Sequence, residues 1–91
     1  MDRGEKLLAR MRSTPFGWGQ DDLRHLYLAF GFEVREGGRH LVIRHPGHLD
    51  LVATVARHDE LPPAYARTAV RLIEELIRRR GIMMSEESET P

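Results

Sequence analysis

Residues 37–46, Gly-Gly-Arg-His-Leu-Val-Ile-Arg-His-Pro, place a histidine between two arginines at the start of a short apolar run. Histidine is the side chain that ordinarily exchanges a proton near neutral pH. Arginine carries a permanent charge on a planar fork that fits a phosphate. His40, with Arg39 and Arg44 on either side, therefore combines a proton carrier with phosphate-binding groups, which suits a phosphodiester substrate. His58 follows Arg57 at the end of a later apolar run. If those two runs are antiparallel neighbours, the start of one lies beside the end of the other. His40 and His58 then form a candidate base and acid pair, with Arg57 as a third cation; the alternative for His58 is a solvated loop position. His45, His48 and Asp50 offer two imidazoles and a carboxylate to a zinc ion. No further strong ligand accompanies them and Pro46-Gly47 reads as a plain turn, so no metal or other cofactor is expected. His25 falls on the polar side of a helical stripe and reads as a surface residue. The chain has no Gly-x-Ser-x-Gly, no glycine-rich phosphate loop and no His-Glu-x-x-His.

The 91 residues suffice for one domain. A chain of this size buries only about 60–65 % of its unfolded surface, so its core is small and a partner can add to it. There is no cysteine, hence no disulfide or thiolate chemistry. No run of about 18 apolar residues is present, and the first six residues lack the apolar core of a signal peptide; the expected location is the cytoplasm, away from membranes. The zero net charge hides an asymmetry. Residues 82–91 carry Glu86, Glu87 and Glu89 without a base, so the remainder holds 14 basic against 11 acidic residues, a net of +3. Lys6 is the only lysine and every other base is arginine, which suits bidentate phosphate contacts or reflects a compositional bias.

The elements that must hold these residues follow from periodicity. Residues 4–12 suit a short helix with Leu7, Leu8 and Met11 on one side; two turns need packing to persist. Residues 13–19 form a loop in which Phe16 and Trp18 tuck onto the core or stand out to stack bases. Residues 21–30 suit a second helix with Leu23, Leu26, Tyr27 and Phe30 on one face, closed by Gly31. Strands are expected at 32–36, 39–45 and 50–56, with Gly37-Gly38 and Pro46-Gly47 as turns. Placing Leu41 and Ile43 inward sends His40, Val42 and Arg44 to an open face. A loop at 57–61 leads into a helix opened by Pro62-Pro63, with Ala66, Ala69, Val70, Ile73, Leu76 and Ile77 inward, Arg67, Arg71 and Arg78 outward, and Gly81 as its end. The acidic residues 82–91 read as a disordered tail. The expected fold class is α+β, in the order α-α-β-β-β-α, with an antiparallel sheet packed on helices on one face only. The domain is residues 1–81, divided into an N-terminal helix and loop (1–19) and a core (20–81).

The order and spacing of several short motifs resemble the HicA family of toxins from bacterial toxin–antitoxin pairs. The motifs are Phe30-Gly31-Phe32-Glu33, Gly38-Arg39-His40, Val42-Ile43-Arg44-His45-Pro46, Thr54-Val55-Ala56-Arg57-His58 and the helix from Arg67 to Leu76. The resemblance spans roughly residues 21–80. It implies a double-stranded-RNA-binding-domain-like fold, endonucleolytic cleavage of mRNA without metal, a catalytic role for His40 and a HicB-like antitoxin as partner. Arg39, Arg44 and Arg57 become the candidates for RNA phosphate contacts. The chain departs from the family pattern where Arg39 stands for a serine, Leu41 for a second histidine and Ala56 for a proline. A non-catalytic RNA-binding or protein-interaction domain on the same fold is the alternative function.

Overall fold

The computed structural model describes the backbone of residues 2–89 and the side chains of residues 2–81. Three helices, α1 (Arg3–Ser13), α2 (Gln20–Ala29) and α3 (Pro63–Glu89), accompany three strands, β1 (Glu33–Gly37), β2 (His40–His45) and β3 (His48–Ala56). The strands form one antiparallel sheet in the order β1-β2-β3. This is the α+β arrangement expected, with α1 added ahead of an α-β-β-β-α core.

Helix α1 starts where the Asp2 carboxylate accepts the Glu5 N–H at 2.8 Å, a side-chain cap for one of the amides a helix leaves unpaired. It lies against α2 and α3, and buries Leu8 and Met11 there. Helix α2 starts at Gly19, whose N–H donates to Asp22 at 2.9 Å. Its inward stripe is Leu23, Leu26 and Tyr27, while Phe30 caps its end half-buried. Gly31 follows at φ +86, the left-handed conformation expected of the residue that ends this helix. Tyr27 meets Phe32 edge-on at 5.1 Å, joining the helix to the start of β1.

From β2, Leu41 and Ile43 point into the core, as do Leu51 and Val55 from β3 and Ala66, Ala69, Ile73 and Leu76 from α3. Burying each leucine-sized side chain contributes roughly 1.5–3 kcal/mol. That alternation fixes the phase of β2: His40 and Arg44 are exposed and Val42 is half-buried on the opposite face.

Several sequence expectations shift. The first hairpin turns on Gly38-Arg39, since Gly37 pairs with His40, so Arg39 sits in the turn and not in the strand. β3 begins at His48, two residues early, beside an irregularity near Arg44 and His45 that absorbs extra residues. Trp18 tucks onto the core and donates to the Thr14 carbonyl at 2.7 Å, but Phe16 is 63 % exposed. On α3, Leu72 is buried and Ile77 is 43 % exposed, because the helix lies between the sheet and α1 and its apolar stripe is turned toward both. Gly81 does not end α3, which continues to Glu89; an interior glycine costs a helix only about 1 kcal/mol. The expectation of a disordered acidic tail falls on residues 82–91, whose side chains, with residues 90 and 91 altogether, lie outside the described residues.

Two distant loops are joined. The Gln20 N–H donates to the His58 carbonyl at 3.0 Å, and the Leu61 N–H donates to the Trp18 carbonyl at 2.8 Å. Gly19 is needed at this junction, since a Cβ there would overlap the Asp59 carbonyl.

Candidate nucleic-acid interface

The open face of the sheet is built in three rows by the strand register. Gly37, His40 and Ala56 lie side by side; then Arg35, Val42 and Thr54; then Glu33, Arg44 and Val52. His40 is exposed, and its neighbours on both sides carry at most one side-chain carbon. Its imidazole is therefore approachable from either strand. No side-chain hydrogen bond or ion pair engages it among the described residues.

The arginines divide by position. Arg44 shares the face of His40 but lies four residues along β2, roughly 13 Å away at the usual rise per residue. Arg39 occupies the exposed tip of the turn immediately before His40. Arg57 follows Val55 and Ala56 in the strand alternation and falls on the side opposite His40. Its guanidinium lies 4.0 Å from the Glu36 carboxylate. Arg35 was not singled out from the sequence, yet it is the diagonal neighbour of His40 on the open face, roughly 7–8 Å away. The signal was present: a two-residue turn at Gly38-Arg39 pairs Gly37 with His40 and brings Arg35 to that position. Arg35 and Arg44 frame a shallow recess of about 300 Å³ on the same face, with Val42, Pro46, Leu49 and Glu33.

His58 is exposed, two residues beyond Ala56, the register partner of His40. Its main chain is held twice, through its carbonyl to Gln20 and through its N–H to the Ala56 carbonyl at 3.2 Å.

The zinc alternative does not assemble. Among the described residues no three His, Asp or Glu side chains stand close enough to share an ion. Asp50 is bound by both ends of the Arg79 guanidinium, at 3.0 and 2.7 Å, which also approaches His48 Nδ1 at 3.1 Å and donates to Glu75 at 2.8 Å. Hydrogen bonding to Arg79 holds the Asp50 carboxyl down to about 2, and Arg78 with Arg79 does the same for Glu75. This network ties α3 to the start of β3. His45 is buried at 8 % exposure, edge-on to Phe32 at 5.0 Å. Its Nδ1 accepts the Gly47 N–H at 3.0 Å and so fixes the Pro46-Gly47 turn. Its Nε2 is buried without a partner. Burial first, then the nearby charges of His48 and Arg80, push its pKa below the ordinary histidine value, against a small opposing pull from Glu33.

A cleft of about 810 Å³ lies between α1 and α3 and includes Met11, Arg12, Arg67 and Arg71. It holds no residue of the open sheet face. His40, Arg35 and Arg44 share the open face of the sheet instead.

No protein-family model matches the chain, and neither a curated protein nor a solved structure matches it. No helix among the described residues is long and apolar enough to cross a membrane.

Proposed function

We propose that this chain is a HicA-like toxin that cleaves mRNA at the open face of its sheet. The observation that carries the reading is the first row of that face. His40 stands exposed between Gly37 and Ala56, with Arg35 diagonal to it and Arg39 beside it in the chain. In this reading His40 takes the proton of a ribose 2′-hydroxyl. The 2′-oxygen attacks the adjacent phosphorus, and the bond from phosphorus to the 5′-oxygen breaks. The products are a 2′,3′-cyclic phosphate and a 5′-hydroxyl, whose proton comes from an acid, with His58 or water in that role. Arg39 and Arg35 offset the charge that develops on the phosphate, and Arg44 holds the strand further along. A HicB-like antitoxin is the expected inhibitor, seated on the same face.

Histidine acid–base catalysis contributes about 10²- to 10⁴-fold. His40→Ala is therefore expected to lower cleavage of single-stranded RNA by that factor with the fold retained. The check is purified protein with labelled RNA in EDTA, alongside growth arrest on expression. Equal cleavage by both proteins would remove His40 from the reaction.

Arg39 in the place of a serine favours a second reading, a domain that binds RNA without cutting it. Salt-dependent binding with no cleavage, unchanged by His40→Ala, is its signature. Restoring the family residue by Arg39→Ser would then switch cleavage on.

A further inference from the structure

Among the described residues the sheet has two unpaired edges, and they differ in kind. β1 is five residues long and carries Glu33, Arg35 and Glu36. Shortness and charge are how sheets discourage pairing with another chain. β3 is nine residues long, and its stretch Leu51-Val52-Ala53-Thr54-Val55-Ala56 has neither a charge nor a proline.

The hairpin register shows which groups β3 presents. Residues that flank a two-residue turn form a hydrogen-bonded pair, so His40, Val42 and Arg44 bond to β1. Leu41 and Ile43 then turn their N–H and C=O toward β3, where they meet Val55 and Ala53. Val52, Thr54 and Ala56 must direct theirs outward. The Ala56 carbonyl does so, since it accepts the His58 N–H. For Val52 and Thr54, no backbone partner exists among the described residues. Beside them runs a groove of about 280 Å³, walled by Ala64, Tyr65 and Thr68 of α3 and reaching Tyr27. An edge strand beside a helix is the setting in which a further strand adds to a sheet.

We propose that the open edge of β3 is a self-association surface, on which a second copy of this chain adds its own β3 antiparallel to make one six-stranded sheet. The edge is complementary to itself. With Ala53 on the two-fold axis, Val52 faces Thr54 of the partner subunit, and the two residues exchange both N–H to C=O bonds; symmetry doubles them. The charges match in this direction only. Asp50, with a side chain 65 % exposed, lies at the start of the strand and Arg57 follows its end. Antiparallel pairing sets Asp50, which Arg79 already holds, opposite the partner subunit's Ala56 and one residue from the partner subunit's Arg57, a side chain that also stands 4.0 Å from Glu36 within its own chain, whereas parallel pairing sets like beside like. The side chain of Val52, 44 % exposed, is covered at the same time. Two His40 faces then lie on one continuous surface.

The test is the solution mass of the full chain across a hundredfold range of concentration, by light scattering or sedimentation. The expected result is a species of twice 10.5 kDa that dissociates on dilution. Thr54→Pro removes an N–H that β2 does not use, so the fold is kept and the mass halves. Val52→Lys places a charge on the same edge with the same expected halving, and decides the matter if the proline variant fails to fold. A chain that is monomeric throughout overturns the proposal, including one that takes up an unrelated peptide at this edge. So does a dimer whose mass a folded variant at this edge leaves unchanged.

Discussion

His45 closes a turn with one ring nitrogen and buries the other. Because Nδ1 accepts the Gly47 N–H, the single proton of the neutral ring sits on Nε2, the atom buried without a partner. A second proton would have to enter at Nδ1 and break that bond. The folded chain therefore favours the neutral ring, and its pKa lies below that of the unfolded chain. Above the ordinary histidine value of about 6.5 both states are neutral and His45 adds no pH dependence. As the pH falls through that value the unfolded chain gains the proton first, and stability declines until the folded pKa is passed. His45→Phe keeps a ring against Phe32 and is expected to flatten the fall in urea midpoint between about pH 8 and about pH 5. At the upper pH it loses about 0.5–1.5 kcal/mol with the Gly47 bond. An unchanged slope would show that other groups govern the acid sensitivity. From sequence, His45 stands out only as a zinc ligand candidate beside His48 and Asp50. Its burial follows from the same alternation that sent His40 outward, since residues 41, 43 and 45 share a side.

At the scale of elements, α1 is where length and stability diverge. Eleven residues do not persist as an isolated helix. Met11 is 1 % exposed and Leu8 4 %, so packing on α2 and α3 holds it. Met11→Ala is expected to cost about 2–5 kcal/mol in denaturant unfolding. A loss below about 0.5 kcal/mol, the usual size for a surface substitution, would mean that α1 rests on the core without belonging to it. Helix and strand identities were legible from period alone: Leu23, Leu26 and Tyr27 for α2, Leu41 and Ile43 for β2. What period could not supply was anything set by neighbours distant in sequence. Arg57 looked like a phosphate ligand beside His40, and the strand alternation carried it toward Glu36. Ile77 fitted the stripe of α3, but the stripe is shared between the sheet and α1. Arg79, a residue with no motif around it, joins β3 to α3 by meeting Asp50, 29 positions earlier.

Across the whole molecule, the candidate site and the core are kept apart. His40, Arg35 and Arg44 are exposed on one face, while the buried apolar side chains of β2 lie on the other. Substitutions on the open face can therefore alter chemistry at little cost to the fold. The joined loops obey the opposite rule. Gly19→Ala is expected to destabilise the chain by about 1–3 kcal/mol, the cost of losing a buried main-chain contact, although both loops are at the surface. A melting temperature equal to wild type would show that the loops separate freely. The junction also bears on the order of folding. Gln20 and His58 are separated by both hairpins, so their hydrogen bond closes a long stretch of chain and returns little until the sheet exists. The sheet and α2 can assemble from near neighbours, whereas this closure is expected to come late. In a refolding experiment followed by hydrogen exchange, the amides of Gln20 and Leu61 should gain protection after those of β2. The loop that positions His58 would thus be among the last parts of the chain to acquire its shape and among the first to lose it.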